Sequence, residues 1–237
     1  MITEAIILAG GFGTRLQKVV SNVPKPMAPV NSEPFLNYIF YKLKKEGIKS
    51  VVLSLGYLSQ HIIKYYKEEF AGIKIYYSVE NTPLGTGGGI KLALDFCKQN
   101  EILVLNGDSF FNVPIQNIYL NHTSKNADCS IALRHVNNAS RYGSVETDLE
   151  DRIISFQEKN EVEVSGNING GIYILNKKHF LENTPSGNFS IEQNYFQALH
   201  TTEKFYGFPF HNYFIDIGIP ESYNQANDDF KEFESLP

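Results

Sequence analysis

Residues Leu8 to Arg15 read Leu-Ala-Gly-Gly-Phe-Gly-Thr-Arg, and Pro24, Lys25 and Pro26 follow as Pro-Lys-Pro. Glycines leave backbone N–H groups uncovered, and such groups at the carboxyl edge of a sheet bind anions, phosphates above all. Arg15 and Lys25 add two fixed positive charges. An arginine fork can hold two phosphate oxygens at once, and the flanking prolines stiffen the backbone that carries Lys25. The combination predicts a cradle for a triphosphate under attack. A P-loop does not fit, because no Lys-Ser or Lys-Thr pair follows the glycines. The dinucleotide fingerprint Gly-x-Gly-x-x-Gly matches Gly11 and Gly13 but meets Leu16 at its third position. A tight turn whose glycines only permit positive φ is the plainer alternative.

Carboxylates supply the complementary chemistry. Asp108 follows the apolar run Ile102 to Leu105, and Asp216 follows Tyr213 to Ile215, so both are expected at strand ends. Two such oxygen ligands, completed by substrate phosphates and water, suit Mg²⁺, and Mn²⁺ equally. Glu80 closes another strand. A carboxylate can accept hydrogen bonds from guanine N1–H and N2–H together, a pair no other common base offers. An exposed strand-end glutamate is the alternative reading. Gly85, Gly87, Gly88 and Gly89 permit close backbone approach, and also suit a loop entering a helix.

These residues need a scaffold that brings strand ends together. Glu4 to Ala9 is a short apolar run, as expected of a buried parallel strand. Ser50 to Leu55, Lys74 to Val79 and Glu101 to Leu105 repeat that pattern. Helical periodicity lies between them, over Phe35 to Glu46, over Leu58 to Phe70, and at Ile90, Ala93, Leu94 and Cys97. Strands alternating with helices predict right-handed βαβ units, an α/β fold with a Rossmann-like, mostly parallel sheet flanked by helices. The second half changes character. Cys129 to Val136, Ser144 to Asp148, Arg152 to Glu158 and Asn167 to Leu175 read as strands with short turns, a small antiparallel region grafted on the sheet. Helices are expected over Ile191 to Leu199 and Pro220 to Phe233. Residues 1–237 are expected to form one domain, with 1–127 mainly for a nucleotide and 128–237 mainly for a second substrate.

The net charge of −5 over 237 residues argues against a nucleic-acid partner, though not against a nucleotide in a local basic cradle. No apolar run approaches the length of a membrane span, and no leader pattern precedes the first strand. Cys97 and Cys129 lie in apolar periodic segments and are expected as buried thiols, in a cytoplasmic protein. The six histidines show no zinc-site spacing. The 14 tyrosines and 17 phenylalanines would suit a homo-oligomer contact but do not specify one.

The glycine loop, continued by Pro24-Lys-Pro-Met27, resembles that of the sugar-1-phosphate nucleotidyltransferases. Pro83-Leu-Gly-Thr-Gly-Gly88, Asn106-Gly-Asp108, Arg141-Tyr-Gly143, Glu158-Lys159, Asn169-Gly-Gly171 and Asp216-Ile-Gly218 continue the resemblance in the family's order. Val20 to Val30, Ser78-Val-Glu80, Phe189-Ser-Ile-Glu192 and Phe214 to Pro220 look most like the guanylyltransferases of D-glycero-α-D-manno-heptose 1-phosphate. The resemblance implies transfer of GMP from GTP to a sugar 1-phosphate, with release of pyrophosphate and a GDP-heptose destined for a surface polysaccharide or glycan. Arg15 and Lys25 would act on the reacting phosphates. Leu8, Ala9, Gly10, Gly11, Gly13, Thr14, Glu80, Pro83, Gly85, Thr86, Asn106 and Gly107 would hold the nucleotide. Tyr142, Gly143, Glu158, Lys159, Asn169 and Gly170 would hold the sugar phosphate, with Gly170 and Gly171 keeping space for its ring. Asp108 and Asp216 would hold the metal. Tyr142 would stack on the sugar or pack, and Arg141 would add positive charge or serve structure. Mannose 1-phosphate guanylyltransferases, and uridylyl or thymidylyl transferases of hexose 1-phosphates, are the alternatives. A non-catalytic nucleotide-sugar-binding subunit is a third reading, disfavoured because such relatives tend to lose the loop arginine or a metal carboxylate.

Overall fold

The computed structural model describes residues 1–11, 16, 20, 23–139, 142–157 and 165–235. β1 (Glu4–Leu8) opens the chain, and a 3₁₀ turn over Lys25–Met27 leads to the small ribbon of β2 (Pro29–Val30) and β3 (Glu33–Pro34). There follow α1 (Phe35–Lys45), β4 (Ser50–Leu55), α2 (Ser59–Tyr66), β5 (Glu69–Phe70), β6 (Ile73–Val79), α3 (Gly85–Ala93) and β7 (Glu101–Asn106). The second half contains β8 (Ser109–Phe111), α4 (Ile115–Ser124), β9 (Cys129–Val136), β10 (Ser144–Thr147), β11 (Ile153–Gln157), β12 (Gly166–Asn176) and α5 (Lys177–Glu182). A π-helix over Glu192–Gln197, β13 (Phe205–Phe210), β14 (Phe214–Asp216) and α6 (Pro220–Asp229) complete it.

The main sheet runs β11-β10-β12-β7-β1-β4-β6-β5, with β9 paired to β12 and β13 to β9. β7, β1, β4 and β6 are parallel, as the βαβ pattern requires, while β12 runs antiparallel to both β7 and β9. Burial on both faces explains the unbroken apolar runs. In β1, Ala5 and Ile7 pack on the layer containing α1, whereas Ile6 packs on the opposite layer containing α3. β7 alternates in the same way, with Leu103 and Leu105 on one face and Ile102 and Val104 on the other. Each such buried aliphatic side chain contributes about 1.5–3 kcal/mol. Cys97 and Cys129 are free and buried, and burial raises both thiols above their ordinary range.

Two helices depart from the periodicity. The segment expected as one helix over Leu58 to Phe70 leaves α2 at Lys67, where φ is +52°, and returns as β5. Phe70 is drawn onto the rings of Phe40 and Tyr66, at centroid distances of 5.4 and 5.1 Å. This tertiary contact overrides the local helical pattern. The segment expected as a helix over Ile191 to Leu199 winds as a π-helix from Glu192.

β12 is the hinge of the topology. It pairs with β7 from Ile172 to Asn176 and with β10 at Ile168, while β9 accompanies both halves, at Gly166–Asn169 and at Tyr173–Leu175. The register shifts between Asn169 and Tyr173, and Gly171 there has φ +76°.

The glycines of α3 admit a distant segment of the chain. A Cβ on Gly87 would lie 2.1 Å from the Phe189 ring, and one on Gly88 would lie 2.3 Å from Gly187 O. Phe189 N donates to Leu84 O at 3.0 Å, and Gly87 N donates to Phe189 O at 3.0 Å. Residues 187–189 therefore lie directly on the helix entrance. Gly87→Ala should lower the melting temperature by roughly 2–12 °C, because overpacking of about 1–3 kcal/mol outweighs the helix propensity gained. Gly166→Ala, where a Cβ meets nothing within 4 Å, should leave it nearly unchanged. Equal melting temperatures in a thermal scan of both variants would refute the packing.

Candidate active site

Parallel sheets present their strand ends, and a crevice lies outside the carboxyl ends of β1, β4 and β7, where ligands of open α/β folds bind. It encloses a cavity of about 430 Å³. Its floor is the end of β1: Leu8, Ala9, Gly10 and Gly11 all line it. The crossing of strand ends is pinned by Ala9 N donating to Ser54 O and Gly107 N donating to Leu8 O, each at 2.8 Å. A Cβ on Gly107 would sit 2.6 Å from Leu8 O, so this glycine serves the packing of β7 on β1 and is absent from the cavity lining.

One wall is acidic. Glu80 accepts from Leu84 N at 2.8 Å through Oε2. Its Oε1 occupies the space that a Cβ on Gly56 or Gly10 would claim, at 2.5 and 3.1 Å. The carboxylate is thus seated by two glycines at the ends of β1 and β4. Pro83, Gly85 and Thr86 continue this wall.

The mouth is charged. Lys25, in its 3₁₀ turn between prolines, places Nζ 2.5 Å from Asp108 Oδ2. The lysine side chain is 14% exposed and the aspartate 41%. Asp216 is held next to this pair. β14 and β8 place Asp216 opposite Ser109, and Ile217 N donates to Asp108 O at 2.9 Å. Asp216 Oδ1 accepts from Gly218 N at 2.8 Å, and the Tyr142 hydroxyl donates to Oδ2. A Cβ on Gly218 would fall 2.4 Å from Asp216 Oδ1 and 3.4 Å from Lys25 Nζ, so Gly218 keeps open the space between carboxylate and ammonium. The carboxylate oxygens of Asp108 and Asp216, all hard donors at adjacent strand ends, suit a divalent cation.

A polar relay joins the mouth to the second half. Asn169 Nδ2 donates to the Tyr173 hydroxyl at 3.1 Å, and that hydroxyl donates to Asn106 Oδ1 at 3.2 Å. Asn169 Oδ1 accepts from Gly171 N at 2.9 Å. Tyr173 is fully buried, and burial raises its phenol above the ordinary range, so it acts as a neutral hydrogen-bonding group.

The expected residues thus divide. Lys25, Glu80, Pro83, Gly85, Thr86, Asn106 and Asp108 line the cavity together with the end of β1. Asn169 joins it through Tyr173. Tyr142 packs edge-on against Phe214, with centroids 6.2 Å apart, besides binding Asp216, and Gly143 follows it half-buried at the start of β10. Gly170 differs from its expected use: a Cβ there would sit 2.4 Å from the Phe111 ring, so it makes room for that ring. Gly13, Thr14, Arg15, Arg141, Glu158 and Lys159 lie outside the described residues. Residue types alone gave no role to Ser54, Tyr173, Asn188 or Glu192. All except Tyr173 line the cavity, and only Glu192 carried a signal, as the end of Phe189-Ser-Ile-Glu.

Comparison with known proteins agrees with this geometry. A family model described as nucleotidyl transferase matches residues 4–232. D-glycero-alpha-D-manno-heptose 1-phosphate guanylyltransferase of Aneurinibacillus thermoaerophilus is 45% identical over 230 residues, 97% of this chain and 99% of that protein. The protein of the same name from Campylobacter jejuni is 47% identical over 220 residues, 93% of this chain and 96% of its own length. Among solved structures, HddC from Yersinia pseudotuberculosis complexed with GMP-PN superimposes with a TM-score of 0.84 at 36% identity, covering 97% of this chain and 100% of that one. With a glycine-floored cavity at the strand ends and a family model matched over nearly its full length, the chain belongs to the nucleotidyl transferase family.

Proposed function

We propose that this chain transfers GMP from GTP to D-glycero-α-D-manno-heptose 1-phosphate, releasing pyrophosphate and forming GDP-heptose. The observation that carries the reading is the 45% identity spanning almost all of this chain and almost all of a heptose 1-phosphate guanylyltransferase. The cavity supports it, with a lysine at the mouth and a carboxylate on the wall.

In this reading a phosphate oxygen of the sugar phosphate attacks the α-phosphorus of GTP. The new O–P bond forms as the bond to the bridging oxygen of pyrophosphate breaks, and the electron pair leaves with pyrophosphate. A phosphate monoester is a competent nucleophile near neutral pH, so no general base is needed. The protein's task is to bring two anions together and offset the charge that spreads over the phosphates. Backbone N–H groups at Gly10 and Gly11, the Arg15 guanidinium and the Lys25 ammonium are the groups of the right sign. The guanine lies over Leu8 to Gly11, with Glu80 accepting from its N1–H and N2–H. Asp108 and Asp216 would hold Mg²⁺, which, when bound, neutralises phosphate charge. Residues 1–127 mainly serve the nucleotide and 128–237 the sugar phosphate. The product would feed a surface polysaccharide or glycan, and the reaction suits the cytoplasm. Among the described residues no helix is long and apolar enough to cross a membrane.

The test is pyrophosphate release with Mg²⁺ across GTP, ATP, UTP, CTP and dTTP against heptose, mannose and glucose 1-phosphates. Turnover confined to GTP with the heptose phosphate is the expected result. Another productive pair would keep the mechanism and discard the substrate, and no turnover from folded, nucleotide-binding protein would favour a regulatory subunit. Arg15→Ala should reduce kcat by about 100-fold or more with an unchanged melting temperature, as when transition-state charge loses its partner; a change under threefold would remove Arg15 from the chemistry. Glu80→Gln retains the size of the side chain but opposes a donor to the guanine edge. It should cut the preference for GTP over ATP by roughly 10–100-fold in kcat/KM. Unaltered base selectivity would end the assignment.

A further inference from the structure

Glu192 has no part in the mechanism above, yet its side chain lines the cavity. Its Oε2 accepts from Thr86 Oγ1 at 2.8 Å and from Ser190 Oγ at 2.7 Å. Thr86 Oγ1 in turn accepts from Ile191 N at 3.0 Å. The carboxylate is therefore fixed through one oxygen by two hydroxyls, and its Oε1 has no hydrogen-bond partner among the described residues. The backbone beneath it is equally constrained. Residues 187–189 lie on the glycines of α3, and Asn188 Nδ2 donates to Pro83 O at 2.9 Å. Glu192 then begins a π-helix, a winding frequent at functional sites.

Each part of the two substrates offers a different chemistry to an ionised carboxylate. Phosphate oxygens repel it, and Lys25 at the mouth is the group of opposite sign for them. The guanine edge is taken by Glu80, seated between Gly10 and Gly56. Hydroxyls remain, on the sugar phosphate and on the ribose of GTP, and they are donors, which an acceptor-only group needs; the place of Glu192 in the fold decides between them. Phe196, one turn along the same helix, packs on the Tyr173 ring at a centroid distance of 5.0 Å, and the Tyr173 hydroxyl joins Asn169 to Asn106. The Glu192 charge also acts on that phenol. Glu192 thus borders the same polar relay that leads from the cavity to the second half of the chain.

We infer that Glu192 is a specificity residue for the sugar 1-phosphate, its Oε1 accepting hydrogen bonds from one or two hydroxyls of the sugar ring. This rests on the sugar nucleotidyltransferase reading above and adds to it a residue that reads the sugar. Thr86 and Ser190 are the positioning residues that aim it.

The experiment is steady-state kinetics of Glu192→Gln and Ser190→Ala beside wild type, varying GTP and heptose 1-phosphate separately, with a thermal melt of each. Glu192→Gln should raise KM for the sugar phosphate at least tenfold and leave KM for GTP within twofold. Ser190→Ala keeps the carboxylate but loosens it, and should raise the sugar KM by a smaller factor without altering the GTP value. It also keeps the assignment testable should Glu192→Gln melt early. A rise in KM for GTP alone, or equal rises for both substrates, would overturn the assignment while leaving the reaction intact. An unchanged sugar KM in Glu192→Gln would do the same. Wild type inert with every sugar phosphate would overturn the reaction reading instead, and this assignment with it.

Discussion

β12 grips β7 from Ile172 to Asn176 and releases it at Gly171. Sheets gain stability by pairing every strand edge, so a long strand that abandons its neighbour midway incurs a cost. Here the released strand finds a new partner in β10 at Ile168, while β9 stays paired with it along both halves. The left-handed backbone at Gly171 makes the turn possible. A side chain there would be strained, and would also strike Ser109 Oγ at 2.6 Å. The cavity lies at the neighbouring strand ends, bounded by Leu8 of β1, Ser54 of β4 and Asn106 of β7 together with Gly10 and Gly11.

The glycine-rich segments then acquire a shared explanation. Gly10 and Gly56 admit the Glu80 carboxylate, while Gly87 and Gly88 admit residues 187–189. Small residues at these places let protein approach protein, and the approach seats the carboxylates of Glu80 and Glu192 at the cavity. The glycines of α3 thus serve the packing of two distant segments. The motif Pro83 to Gly88 and the motif Phe189 to Glu192 lie about a hundred positions apart in the chain, yet they form one structural unit joined by backbone hydrogen bonds.

Legibility in the sequence tracked the range of the interactions involved. β4 and β9 begin and end where their apolar runs do, because burial on both faces is a local demand that each strand must meet itself. α2 stopped short of its periodic pattern because Phe70 answers also to Phe40, which no local window around residue 70 contains. The fork in β12 is invisible for the same reason: pairing partners are not written in a strand's own residues. Site residues divided likewise. Lys25 and Asp108 could be found from charge type and neighbours, whereas Tyr173 reads as one more core aromatic until Asn106 and Asn169 are seen on its hydroxyl. Gly170 carried a glycine signal that was legible, but its occupant, Phe111, was not.

The electrostatics of the mouth set a condition on any anion that enters. Lys25 and Asp108 now neutralise each other at 2.5 Å. A phosphate that draws Lys25 toward itself leaves Asp108 a bare carboxylate beside an anion, with Asp216 adjacent. Like charges about 4 Å apart repel by about 4 kcal/mol at an effective dielectric near 20. That is enough to cost the phosphate roughly a thousandfold in affinity, since about 1.4 kcal/mol is tenfold. In an acidic protein with a net charge of −5 no distant surplus of positive charge relieves the repulsion. Relief must be local: a further cation at the carboxylates, or a guanidinium from the glycine loop. Arg15 is the loop residue with that charge, and a divalent cation is the species that two aspartates of this kind favour. The acidic mouth, unfavourable for phosphate by itself, makes tight binding of the triphosphate conditional on the charges that its transfer chemistry also needs.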